Sequence, residues 1–253
     1  MFHPKGPSLL ELARQCLSSV EEGYNLLAPR FEYTPFRTPD KLLAPALAQV
    51  GPPGSVESAL DICCGTGAAL RFLRPLCRQR VVGVDLSQGM LDEAHRLLAD
   101  APGQAAVELV RGDALSLPWE RSFDLVTSFG AFGHILEEDE PRLVAQVYRA
   151  LRPGGRFLFV TAHPPSPLRP GYWLARAFNA AMRVRNALWQ PPFVMYYLTF
   201  LLPRARALHQ AQGFSVEVRD DVLPEPFSRH GYCVVLATRL QESSAGAGLP
   251  GLS

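Results

Sequence analysis

Residues 59–70 read Ala59-Leu60-Asp61-Ile62-Cys63-Cys64-Gly65-Thr66-Gly67-Ala68-Ala69-Leu70: an apolar run, a tight turn carrying two glycines, and the opening of a helical pattern. A short apolar run that ends at such a turn suits a buried strand. Glycine has no side chain and tolerates positive φ, so a turn built on it lets backbone pass close to a bound group. The turn alone is a weak signal. It gains weight from Asp85, twenty residues after Gly65, which closes the next apolar run, Val81-Val82-Gly83-Val84-Asp85. An acid at the end of the second strand of an open α/β sheet can accept both hydroxyl hydrogens of a ribose lying across the strand ends. A nucleoside ligand is expected.

Outward from this stretch, strand-like runs alternate with helical patterns from about residue 58 to residue 161, the sequence form of a parallel sheet covered by helices. Strands are expected at Ala59–Cys63, Val81–Asp85, Val107–Arg111, Phe123–Phe129 and Arg156–Thr161, and two more at Phe214–Arg219 and Tyr232–Arg239. Met90, Leu91, Ala94, Leu97 and Leu98 share one helical face behind Ser87, a possible N-cap. A second helix over Glu138–Leu151 opens on acids and closes on Arg149 and Arg152, which suits the helix dipole; Leu-Arg-Pro-Gly-Gly should then stop it. A shorter helix, Arg204–Gln212, ends at Gly213. The expected organisation is a helical cap over residues 1–55, a sheet domain over 56–240 with an aromatic, proline-bounded insertion at 162–202, and a disordered tail over 241–253.

A glycine turn followed by an acid also marks nicotinamide-dinucleotide enzymes. Here the third glycine of that fingerprint would fall at Leu70, and Asp61 ahead of the turn would repel a pyrophosphate. Gly112-Asp113-Ala114 instead offers a carboxylate and a backbone amide to the edge of an adenine. Asp61 is placed to orient the amino group of a bound amino acid. These features favour a nucleoside joined to an amino acid.

In order and spacing, DICCGTG, VVGVDLS, GDALSLPW, FDLVTSFGAFGHI and LRPGGRFLFV resemble the class I S-adenosylmethionine-dependent methyltransferases over roughly residues 56–161. The resemblance implies a doubly wound, mostly parallel α/β sheet of seven strands whose last strand inserts antiparallel. It implies S-adenosylmethionine as cofactor and carries cofactor contacts onto Asp61, Gly65, Gly67, Asp85, Asp113 and Phe129, with Leu86, Met90 and Ala114 beside them. Cys63 stands where the family has the first glycine of its turn. Cys63 and Cys64 are read as small packing residues on a strand, where burial leaves a thiol inert.

Methyl transfer from a sulfonium needs chiefly an aligned nucleophile and the exclusion of water. For a hydroxyl acceptor His134, after Phe129-Gly130-Ala131-Phe132-Gly133, is the candidate general base; the competing reading is a histidine that only hydrogen-bonds its loop. His163 is a second, weaker candidate. No residues stand at metal-ligand spacing, so no metal is expected. The aromatic segment 162–202, together with Tyr24 to Phe36 of the cap, is read as a lid over an apolar acceptor pocket. Two rivals stand beside that reading: completion of the core, and an interfacial membrane helix with Arg176, Arg183 and Arg185 among Trp173, Phe178 and Trp189.

Composition bounds the partners. With 25 basic and 24 acidic residues and a net charge of +1, nothing in the balance attracts nucleic acid, and no Asn/Asp-Pro-Pro-aromatic segment follows the fourth strand to grip a flipped base. Five cysteines without a repeated spacing fit a reducing cytoplasm. No secretory leader is read at the N-terminus, and the longest apolar stretch, Phe193–Leu202, is too short to span a bilayer. The expected function is methyl transfer to a small apolar or aromatic acceptor. Aminopropyl transfer and a non-catalytic, cofactor-binding interaction module are the alternatives.

Overall fold

The computed structural model describes residues 3–241; all but the first residue of the expected tail lies outside that range. Seven strands form one sheet: β1 (Val56–Ile62), β2 (Cys77–Asp85), β3 (Ala106–Arg111), β4 (Phe123–Ser128), β5 (Leu151–Ala162), β6 (Phe214–Arg219) and β7 (Tyr232–Arg239). Their order is β3-β2-β1-β4-β5-β7-β6, with β7 antiparallel to both neighbours and the other pairs parallel. This is the doubly wound class I methyltransferase sheet. The order reverses between β1 and β4, the switch point at which open α/β sheets bind ligands.

The central strands are buried on both faces, so they read as continuous apolar runs rather than as alternation. Two cores result, one holding Leu60, Val82, Phe157 and Phe159, the other Ala59, Leu70, Val81 and Leu158. The helices that cover them are α3 (Asp40–Ala48), α4 (Leu70–Leu76), α5 (Gln88–Leu98), α6 (Glu140–Ala150) and α8 (Leu202–Gln212). Ser87 does cap α5, its Oγ accepting the Met90 N–H at 3.1 Å. Gly213 closes α8 in the left-handed conformation at φ 99°.

Three expectations shift. The second-strand boundary moves back to Cys77, and Leu-Arg-Pro-Gly-Gly lies within β5 rather than in a connecting loop. Leu151 pairs with Phe123 and the register slips before Arg156 resumes beside Leu125. That irregularity takes up Pro153, which has no N–H for a ladder. Cys63 and Cys64 follow β1 and do not lie on it.

Ahead of the sheet stand α1 (Leu9–Leu17), α2 (Val20–Leu27) and a 3-10 turn over Ala28–Tyr33. Ser8 and Glu11 form a reciprocal capping box on α1. Between β5 and α8 lies α7 (Pro170–Leu188), followed by an irregular stretch over 189–201.

Candidate active site

The glycine turn works because three residues take left-handed backbone. Gly65 has φ 53° and Gly67 φ 79°, as a tight turn requires, and Cys63 adopts φ 55° although it carries a side chain. That conformation costs an L-residue roughly 1–2 kcal/mol, so the backbone keeps the glycine geometry where the sequence has lost the glycine. Asp85 at the end of β2 fixes the turn: one carboxylate oxygen accepts the Gly65 N–H and the other the Ser87 N–H, both at 2.9 Å. Burial raises its pKa against these backbone hydrogen bonds.

A cavity of about 230 Å³ opens over the ends of β1, β2, β3 and β4. Asp61, Gly65, Asp85, Leu86, Met90, Asp113, Ala114, Phe129 and His134 all lie on its walls. Gly67 does not. It faces α5, where an added Cβ would stand 2.9 Å from Leu98 Cδ1, so its role is close packing of the turn on that helix. Asp61 is 2% exposed and accepts the Thr127 hydroxyl at 2.6 Å. Burial pushes its carboxyl up to about 7. Asp113 is exposed at the cavity edge, and its Oδ1 accepts the Leu115 N–H at 2.8 Å.

The opposite wall belongs to the N-terminal segment, with Tyr24, Phe31, Phe36 and Thr38 facing the cavity. This segment is tied to the turn by polar contacts. Thr66 Oγ1 donates to Glu32 at 2.6 Å, Arg37 pairs with the same carboxylate at 2.8 Å, and Asn25 Oδ1 accepts from both Ser87 Oγ and the Gly89 N–H. None of these links is legible as sequence spacing.

His134 is engaged at both ring nitrogens. Nδ1 lies 2.7 Å from the Val194 carbonyl, which can only accept, so Nδ1 carries the proton and Nε2 accepts the Tyr24 hydroxyl at 2.7 Å. Burial lowers the histidine pKa and raises that of the phenol, so the pair rests neutral. Tyr24, His134 and Val194 thereby join α2, the loop after β4 and the stretch after α7 around one cavity.

The aromatic segment is arranged differently from the expected lid. Of residues 162–202 only Val194 lines the cavity. Phe200 is buried in the core against Phe132, whereas Trp173 and Trp189 are 62% and 55% exposed. His163 also lies away from the cavity. Its Nε2 pairs with Asp220 at 2.7 Å, and the ligand atoms of His163, Asp220 and Cys233 all fall within 4.8 Å of one another. This cluster joins three distant parts of the chain, so no local spacing announces it.

Residues 59–155 match the methyltransferase domain family. Among relatives, the demethylmenaquinone methyltransferase of Symbiobacterium thermophilum is 37% identical over 112 residues, covering 43% of this chain and 44% of that protein. The ubiquinone/menaquinone biosynthesis C-methyltransferase UbiE of Desulfotalea psychrophila is 33% identical over 162 residues, 62% of this chain and 54% of the relative. The chain thus spans about half the length of these relatives. Similar solved structures include the YcgJ protein of Bacillus subtilis, with TM-score 0.59, 19% identity and coverage of 79% of this chain and 98% of that one. Another is phosphoethanolamine N-methyltransferase 2 of Haemonchus contortus, with TM-score 0.57, 22% identity and coverage of 79% and 52%. These likenesses concern the fold. Sheet order and glycine turn are those of the class I methyltransferase fold, and the family match falls on the part of the chain that carries them. The N-terminal segment before residues 59–155 completes the walls of the cavity, and the strands after them complete the sheet.

Proposed function

We propose that the protein binds S-adenosylmethionine in this cavity and transfers its methyl group to a small, largely apolar or aromatic acceptor. One observation carries the reading: carboxylates at or just beyond the ends of three adjacent strands, Asp61, Asp85 and Asp113, face a single cavity. The residues present fit the cofactor. Asp61 is a buried acid with one side-chain hydrogen bond among the described residues, from Thr127, and a cationic amino group beside it offsets the cost of its ionisation. Asp85 holds the turn with the side chain that would accept the ribose hydroxyls, and Asp113 with Ala114 would read the adenine edge. Gly65, Leu86, Met90 and Phe129 supply the close and apolar walls.

When bound, the cofactor supplies an electrophilic methyl group on a sulfonium. The chain's own task is then to align the acceptor and keep water out. Phe31, Phe36, Phe129, Ile135 and Val194 give the cavity its apolar surface, which supports an apolar acceptor, as do the quinone-methylating activities named for the relatives above. Tyr24 and His134 form its polar edge. A hydroxyl acceptor can pass its proton to His134 Nε2 by displacing the Tyr24 hydroxyl or through it, since the Val194 carbonyl stabilises the imidazolium that forms.

The test pairs calorimetric titration of S-adenosylmethionine with transfer of labelled methyl to a panel of small phenols, hydroquinones and amines. Binding with turnover of an apolar aromatic acceptor is expected. Binding with no transfer to any acceptor would favour a non-catalytic module, and absence of binding would remove the reading altogether.

A further inference from the structure

We propose that the outer face of α7 docks the protein on an anionic lipid bilayer. The helix has two distinct faces. Its inner face holds Asn179 and Met182, both buried. Asn179 donates to the Tyr197 carbonyl and accepts the Tyr197 N–H, each at 2.8 Å, and Asn186 makes the same pair of contacts with Phe193 at 3.1 and 3.0 Å. Seven residues apart, these two amides sit on one side of the helix.

The opposite side is solvent-facing yet apolar. Trp173 is 62% exposed, Leu174 74%, Val184 59% and Leu188 81%, and the alanines at 177, 180, 181 and 187 are exposed between them. At about 100° per residue these positions form one continuous stripe centred opposite Asn179 and Asn186. A soluble helix with one packed face normally presents polar residues on the other, so a stripe of this length signals a contact. No helix among the described residues is long and apolar enough to cross a membrane; the geometry is that of a helix lying on a surface.

Charge selects the occupant. Arg169, Arg176 and Arg183 recur every seven residues and line one margin of the stripe. Arg183 lies over the Tyr196 ring, and neither Arg169 nor Arg176 takes part in an ion pair among the described residues. From Pro141 to Val216 the chain has ten arginines and no Asp or Glu. A second copy meeting this face symmetrically would set arginine against arginine with no carboxylate of the segment to answer it. Anionic headgroups do answer it, while Trp173 near one end and Trp189 at the other suit the headgroup boundary.

The docking surface is one layer of protein from the cavity. Through Asn179 and Asn186 the helix holds the 193–197 stretch, whose Val194 lines the cavity and accepts from His134. The inference does not depend on the transfer reaction.

The test uses the full chain with vesicles of phosphatidylcholine containing about one third phosphatidylglycerol. Sedimentation should show partition at least roughly tenfold stronger than onto phosphatidylcholine alone. Brominated acyl chains should quench tryptophan fluorescence, because Trp173 and Trp189 enter the acyl boundary. Leu174→Ser with Leu188→Ser, and separately Arg169→Glu with Arg176→Glu, should each lower partition about tenfold or more. All four positions are exposed, and an unchanged melting temperature verifies folding; should either pair fail to fold, the other decides. Absence of partition, or partition unaffected by both pairs, overturns the proposal. So does a dimer in sedimentation velocity that the leucine pair dissolves, which would assign the face to a second copy.

Discussion

Asp61 is an acid whose ionisation its burial opposes, and Asp61→Asn isolates that cost. The amide oxygen still accepts the Thr127 hydroxyl, so shape and hydrogen bond are kept while the charge is removed. With the folded carboxyl pushed up to about 7 from an ordinary 3.8, the native state binds the proton more tightly than the unfolded state does. The raised value therefore favours folding fully below about pH 4, and that advantage is lost as pH rises towards and through 7. At one kcal-scale step of about 1.36 per unit, the whole effect is about 4 kcal/mol, of which roughly 2–3 falls between pH 5 and pH 8. Asp85, also raised, is common to both proteins and cancels in the comparison. Urea unfolding at pH 5 and pH 8 should show the wild type losing roughly 2–3 kcal/mol more than the variant across that interval. Saturating S-adenosylmethionine should shrink the difference, because its ammonium favours the ionised carboxylate. Parallel pH profiles for wild type and variant would refute both the burial argument and the assignment of Asp61 to a cationic partner.

Three further outcomes follow from the site. Asp85→Ala removes the acceptor of two backbone N–H groups as well as the proposed ribose contact; calorimetry should find S-adenosylmethionine binding weaker by about 1–3 kcal/mol, and unchanged affinity would withdraw the residue from the site. Cys63→Gly should raise thermal stability by about 1 kcal/mol with cofactor affinity retained, because φ 55° suits glycine; a loss of stability would mean that the thiol's packing outweighs the strain. Tyr24→Phe deletes the hydroxyl on His134 while keeping the ring, so acceptor turnover should change several-fold with cofactor affinity within about twofold; equal loss of both would place Tyr24 in fold closure alone.

Much of the sheet was legible because its signals are local. The runs ending at Ile62 and Asp85 are largely buried and bounded by turn residues, the edge strand ending at Arg111 is half-buried, and β6 and β7 fall at the expected Phe214–Arg219 and Tyr232–Arg239. The same locality placed Asp61, Gly65, Asp85 and Asp113, each fixed by its strand end. Gly67 is ambiguous in sequence for a physical reason: a glycine that packs closely on α5 looks like one that makes room for a ligand. The Tyr24–His134 contact spans 110 residues, and the grip of Glu32 on Thr66 spans 34; neither has a periodicity to betray it. In α7 the count of aromatics suggested a lid, but which side each faces is set by the two asparagines, which grip the backbone of Phe193 and Tyr197.

That choice of partners separates two demands on the protein. Asn179 and Asn186 grip peptide groups of Tyr197 and Phe193 and are indifferent to what those residues carry. The path of the 193–197 stretch is therefore held through its peptide groups, while burial fixes Phe193 and Asn186 Nδ2 with the Arg183 guanidinium fixes Tyr196, leaving Val194 the least constrained. A single substitution at Val194 can reshape that wall of the cavity without disturbing the strand ends that hold the three carboxylates. One wall of the cavity can thus be altered on its own, with the sheet that carries the carboxylates left as it is.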